Sequence, residues 1–283
     1  MTINIKQALF EYKRKSFFSI FDAINLGLKN RHLLYTWVER KEWQQYKTSD
    51  TIFVFGSGPS INDITDEQWG FIKANDSLGL NFAFLTQVPM TYYYLGYEPA
   101  SKESILKAFS QEIRSIYSDT LWFLPTKSLY RLVHPRLIPE FFPPEPKVAI
   151  FELPSVIQFK TDRPFNDKDF QKSLAYRGVM GVGLNLIYQL GYKRIVLLGV
   201  DLDTHKHFFD DYHVMKHRRW YNEMMAPGKV FEAMIPKGQK YRTMEEYYYA
   251  LNELYFKPNG INLYVGNKTN LLTPRIPTFP DFN

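Results

Sequence analysis

The chain has 283 residues, of which 45% are hydrophobic and 17% aromatic, and a formal net charge of +6. It contains no cysteine, which excludes a disulfide scaffold, a thiolate nucleophile and every cysteine-ligated zinc or iron–sulfur site. The length suits one large domain or one domain with an appendage. No apolar run approaches the ~20 residues of a membrane span or the unbroken apolar core of a secretory signal.

The charge is concentrated at the start. Residues 1–48 hold nine basic residues against four acidic ones, a net +5 that accounts for nearly all of the excess. Phe10, Phe17, Phe18, Ile20, Phe21, Ile24, Leu26 and Leu28 recur there at roughly helical spacing. Residues 4–47 therefore read as two helices broken near Gly27–Asn30, and residues 1–48 as a basic amphipathic helical extension set apart from a nucleotide-binding domain over 49–283. Such a surface suits an anionic membrane, or it packs on the domain with its basic face solvated. No nucleic-acid-binding motif accompanies the charge, so nucleic acid is not expected as a partner.

Ile52–Phe55 reads as a strand that breaks into Gly56-Ser57-Gly58-Pro59-Ser60. Gly56 allows a sharp turn, and Gly58 allows a ligand to approach bare backbone. Pro59 suits a first helical turn, and Ser60 with Asp63 resembles a capping arrangement. The amides of such a turn attract an anion, so a nucleotide or another phosphate-bearing ligand is the expectation. A helix follows from about Ser60 to Lys73, then short strands at Ser77–Asn81 and Thr91–Gly96. Asn81, at a strand end, is placed to read a base or sugar hydroxyl, or to cap the turn that follows. Tyr92–Tyr94 and Tyr247–Tyr249 read as packing rather than ligand platforms.

Ser101–Ile116 reads as a helix and Leu121–Leu124 as a strand. The proline density of residues 125–170 predicts an irregular insertion or lid. Gly178–Leu190 reads as a helix whose glycines, Gly178, Gly181 and Gly183, permit close approach to the sheet or to a phosphate. The strand Arg194–Gly199 follows, then a polar loop over 203–240, the helix Thr243–Tyr255, the turn at 258–260 and the strand Ile261–Val265. Apolar strands alternating with helices predict an α/β fold: a single Rossmann-like, mostly parallel sheet flanked by helices, with a lid and the N-terminal helical extension. Ligands bind such sheets beyond the carboxyl ends of the strands.

The segment after Gly199 carries the densest chemistry. Four of the six histidines, His205, His207, His213 and His217, fall within it, and any of them could act as a general base near neutral pH. Asp201 and Asp203 permit another reading, as ligands for Mg²⁺ or Mn²⁺ on a diphosphate. Asp201 alternatively orders the loop by accepting hydrogen bonds from backbone amides.

The strand-G-S-G-P-S turn at 52–60, G-L-N at 79–81, R-G-V-M-G-V at 177–182, L-G-Y-K-R-I-V-L-L-G-V-D-L at 190–202, I-N-L-Y-V at 261–265 and N-L-L at 270–272 together resemble the bacterial CMP-sialic-acid transferases and their Kdo-transferase-like lipopolysaccharide relatives. The resemblance covers roughly residues 50–275. It implies a sialyltransferase-like variant of the GT-A fold and a metal-independent, inverting glycosyltransferase that needs no cofactor beyond its CMP-sugar donor. Gly56, Ser57, Gly58, Pro59 and Ser60 would cradle the phosphate and ribose, Asn81 would contact the nucleotide, and Arg177, Gly178 and Gly181 would lie near the donor sugar, with Asp201 close by. His207 or His213 would be the base, with Tyr212 assisting the leaving phosphate. The acceptor would be a cell-surface glycan or glycolipid such as lipopolysaccharide, reached from the cytoplasm at the inner face of the membrane. The sequence departs from the family at Val179 and Met180, where small hydroxyl residues are expected. It departs again at Lys240, Tyr241 and Arg242, which stand where the base histidine is expected, so a different ulosonic acid such as Kdo is an alternative donor. A second group shares the turn and the strand-Gly-x-Asp-Leu ending: the 6-hydroxymethylpterin diphosphokinases, which would use ATP and Mg²⁺ held by Asp201 and Asp203. A non-catalytic nucleotide-binding protein is the third reading.

Overall fold

A computed structural model describes residues 36–94, 114–125, 143, 146–151, 179–202, 206–210 and 244–282. Eight strands form one sheet: β1 Thr36–Trp37, β2 Thr51–Phe55, β3 Asp76–Leu80, β4 Tyr92–Tyr94, β5 Leu121–Pro125, β6 Lys147–Phe151, β7 Arg194–Leu198 and β8 Asn262–Val265. Their spatial order is β1-β6-β5-β4-β3-β2-β7-β8, and every pairing is parallel. The helices α1 Asp66–Lys73, α2 Val179–Leu190 and α3 Met244–Leu251 flank it.

Both faces of the sheet are covered, which is why the strands are apolar runs rather than in/out alternations. All five residues of β2 are fully buried. Ile52 and Val54 face α2 and α3, joining Leu78, Leu80, Ile195, Leu197 and Tyr248. Phe53 and Phe55 face the other way, against α1 and the C-terminal Phe279. Gly183 lies against β3: a side-chain carbon there would stand 3.1 Å from a Leu78 methyl. Tyr92, Tyr93, Tyr94, Tyr247 and Tyr248 are all buried, as packing residues.

The chain runs outward from the central β2 through β3, β4, β5 and β6, then returns to the opposite side of β2 as β7 and β8. The order therefore reverses between β2 and β7. Open α/β sheets bind their ligands beyond the carboxyl ends of the strands at such a reversal point.

Three expectations change. Thr36–Trp37, read as helical, pairs with Lys147–Val148 at the sheet edge, because Thr, Trp and Val at 36–38 favour a strand once a partner edge exists. Arg40–Tyr46 is a 3₁₀ helix with Trp43 buried. Residues 147–151, inside the stretch read as an irregular insertion, form β6 between β5 and β1. KVAIF is a strand-forming run, and the preceding Pro146 precedes the ladder, where its missing N–H is tolerated. The helix read from Ser60 begins as a separate 3₁₀ turn, Pro59–Asp63. Its continuation, α1, has its own capping box from Thr65 and Gln68, so Ser60 and Asp63 do not cap it. The helices read over 4–35 and the rest of the insertion lie outside the described residues, as do most of 101–116 and of the 203–240 loop.

Candidate functional site

The turn after β2 and the segment after β7 are locked together. Gly56 N–H donates to the Leu198 carbonyl at 2.7 Å, and Gly58 N–H donates to the Gly199 carbonyl at 2.8 Å. Asp201 then reaches across: one carboxylate oxygen accepts from the Ser60 amide at 2.7 Å, the other from the Ser60 hydroxyl at 2.7 Å. Hydrogen bonds to a charged group stabilise by about 1.5–3 kcal/mol each.

This contact explains the glycines. A side-chain carbon on Gly58 would lie 2.4 Å from Asp201 Oδ2, and one on Gly56 would lie 2.3 Å from the Gly199 carbonyl oxygen. Gly199 itself has φ +61°, a conformation that glycine adopts without strain. The group that approaches bare backbone at Gly58 is thus the chain's own carboxylate. Pro59 begins the 3₁₀ turn, as its sequence position implied.

Residues 206–210 pack on the same turn. Phe208 N–H donates to the Ser57 carbonyl at 3.0 Å, and Asn62 Nδ2 donates to the Phe208 carbonyl at 3.0 Å. Phe208 and Phe209 are buried. His207 stacks on Phe209 with ring centroids 5.0 Å apart, and its backbone amide donates to Asp210 Oδ2. Burial pushes the His207 imidazole below its ordinary value of 6.5, opposed by the nearby Asp210 charge and hydrogen bonding to the Ser57 backbone. A half-buried imidazole held neutral at pH 7 has a lone pair available to take a proton.

Asn81 lies at the carboxyl end of β3, the strand beside β2. It adopts φ +49°, a left-handed conformation that asparagine tolerates better than most residues. Its amide donates to the Tyr94 carbonyl, and its carbonyl accepts from the Tyr93 hydroxyl at 2.7 Å. The side-chain oxygen of Asn81 is buried and has no hydrogen-bond donor among the described residues. An acceptor left so costs about 1–3 kcal/mol, a penalty that a ligand N–H or O–H would relieve.

Gly181 is buried in the first turn of α2, and Val179 and Met180 pack against the core. Arg177, Gly178, Asp203, His205, Tyr212, His213, His217, Lys240, Tyr241 and Arg242 lie outside the described residues. A metal at Asp201 would compete with both donors on Ser60.

Two further residues tie these loops together. Asn270 donates through Nδ2 to the Val200 carbonyl at 2.9 Å and accepts from the Leu272 amide, tying the loop after β8 to the segment after β7. It opens the N-L-L motif, which was the available signal. Asn62 has no such signal, because its partner is 146 residues away.

No protein-family model matches the chain, and no curated protein matches it. Solved structures do. The monofunctional α-2,3-sialyltransferase Cst-I of Campylobacter jejuni is 17% identical with a TM-score of 0.47, covering 84% of this chain and 82% of that one. A variant of the α-2,3/8-sialyltransferase CstII is 18% identical with a TM-score of 0.45, covering 82% and 88%. A sialyltransferase CST-II variant in complex with CMP is 19% identical with a TM-score of 0.47, covering 83% and 87%.

Proposed function

We propose that this chain is a CMP-sugar-dependent glycosyltransferase that moves a sialic acid or a related ulosonic acid onto a cell-surface glycan, with lipopolysaccharide as the expected acceptor. The observation that carries the reading is the direct contact between two motifs 141 residues apart, Ser60 in the turn after β2 and Asp201 after β7, at the reversal point of a parallel sheet. Both belong to the set that resembles the CMP-sialic-acid transferases. Beside them stand a carboxamide oxygen on Asn81 that has no donor among the described residues and an imidazole on His207 that burial keeps neutral.

In this reading the cytosine amino group or a ribose hydroxyl donates to Asn81, and Ser57 borders the phosphate. His207 or His213 removes the proton from the acceptor hydroxyl as its oxygen attacks the anomeric carbon. The bond from that carbon to the CMP phosphate breaks, inverting the centre, and CMP departs with the electron pair, assisted by Tyr212. Asp201 acts as a positioning residue, fixing the turn relative to β7. Arg177, Gly178 and Gly181 lie toward the donor sugar. No metal takes part, and the basic residues 1–35 hold the enzyme at an anionic membrane surface in the cytoplasm.

Thermal-shift measurements with CMP, CDP, UDP, ADP and ATP test the nucleotide, each with Mg²⁺ and with EDTA. A ligand that binds only the folded chain stabilises it by about 2.7 kcal/mol at a hundred times its dissociation constant. Stabilisation by CMP in EDTA is expected. A response to ATP alone, and only with Mg²⁺, contradicts the proposal and favours the diphosphokinase reading.

A further inference from the structure

We propose that the open cleft between α1 and the segment following β3 binds a neutral oligosaccharide. Its role as the acceptor seat rests on the glycosyl-transfer reading, whereas the binding itself does not. The cleft encloses about 680 Å³, within the roughly 300–1,000 Å³ range of small-molecule sites. It begins at Phe208, adjacent in sequence to His207, and runs along α1 to Lys73 and Gln87.

Trp69 lines it. One face of the indole stacks on Phe55, with centroids 5.8 Å apart and planes 11° from parallel, so the ring is braced rather than loose. The indole N–H makes no hydrogen bond with the described residues. Trp69 therefore offers a flat apolar surface with a polar edge, which suits the C–H face of a pyranose ring and a hydroxyl beside it.

Gly70 follows, in the interior of α1, where glycine costs about 1 kcal/mol relative to alanine. Among the described residues nothing lies within 4 Å of the position its side-chain carbon would take. No packing constraint within the fold explains it, but it keeps the wall beside Trp69 open.

The rim carries Asp66, Lys73 and Gln87, whose side chains make no ion pair or hydrogen bond with the described residues. Together they supply an acceptor, a donor and a group that is both, with no net charge. Sugar hydroxyls both donate and accept, so this balance matches a neutral saccharide better than an anion or a cation.

The five tryptophans give five indole N–H signals in a ¹⁵N-labelled full-length chain, and Trp69→Phe identifies the relevant one. Lactose, cellotriose and chitotriose serve as neutral probes. At least one is expected to shift the Trp69 signal saturably below about 10 mM. Gly70→Gln should weaken that binding about tenfold by filling the cleft, while the melting temperature stays level or rises. Lys73→Ala and Gln87→Ala, both on the exposed rim, should each weaken it roughly threefold. A Trp69 signal that no probe moves, or binding that Gly70→Gln leaves unchanged, overturns the site. CMP is titrated in parallel. Normal CMP binding with a silent cleft overturns the cleft alone, and saccharide binding without CMP binding overturns the transfer reading alone.

Discussion

His207 illustrates what one side chain contributes beyond its chemistry. Its half-buried imidazole titrates below the ordinary 6.5 because charging it there means losing water. The folded chain consequently binds fewer protons at this position than the unfolded one. Stability is full above the unfolded-chain value and falls as pH drops through it toward the lower folded value. Urea unfolding of wild type and His207→Gln between about pH 7.5 and pH 5 should therefore show wild type losing ground to the variant on acidification; a constant difference contradicts the assignment. Asp201 offers a second test, since removing it strands the Ser60 amide and hydroxyl. Asp201→Ala should cost about 2 kcal/mol in the same assay, and a loss below about 0.5 kcal/mol would show that the two loops do not depend on the clamp. The glycines of the turn were legible in sequence as a tight turn. What approaches Gly58 was not, because Asp201 lies far along the chain.

Among the elements, β2, β3, β4, β5, β7 and β8 were readable because each is an apolar run bounded by polar, glycine or proline residues. The local pattern concealed β1 and β6. β6 is surrounded by prolines, and β1 is only two residues long, so its state is decided by the edge it meets. That edge matters to any truncation. Val38 and Trp43 are buried, and Trp43 meets the Phe123 ring edge-on at 4.9 Å. Thr48 donates through its amide and hydroxyl to Asp76, a buried carboxylate that also accepts from the Ser49 amide and the Tyr192 hydroxyl. Deleting residues 1–48 should therefore destabilise the chain by at least the roughly 3–5 kcal/mol of one lost core tryptophan, and unfolding measurements that show no loss contradict this. Deleting residues 1–35 leaves β1 and Trp43 in place. Flotation with anionic liposomes then tests the membrane role, which fails if the shortened chain floats as well as the full one.

Among the described residues the molecule is a parallel sheet whose strand order reverses at β2 and β7, with packed side chains covering both faces. The fold class followed from strands alternating with helices, but the reversal point did not, because strand order depends on which runs pair. The sequence offered Asn81 as a reader of a base or sugar hydroxyl or as a turn cap, but not the buried side-chain oxygen that finds no donor among the described residues, because that emerges only from packing. That oxygen gives the most direct measurement. Calorimetric titration of CMP in EDTA should show saturable binding to the wild-type chain. Asn81→Gly, which suits the left-handed backbone and deletes the carboxamide, should bind CMP about tenfold more weakly, the worth of one hydrogen bond to a buried partner. No saturable CMP binding, or equal affinity in the two chains, would contradict a CMP-sugar pocket at this end of the sheet.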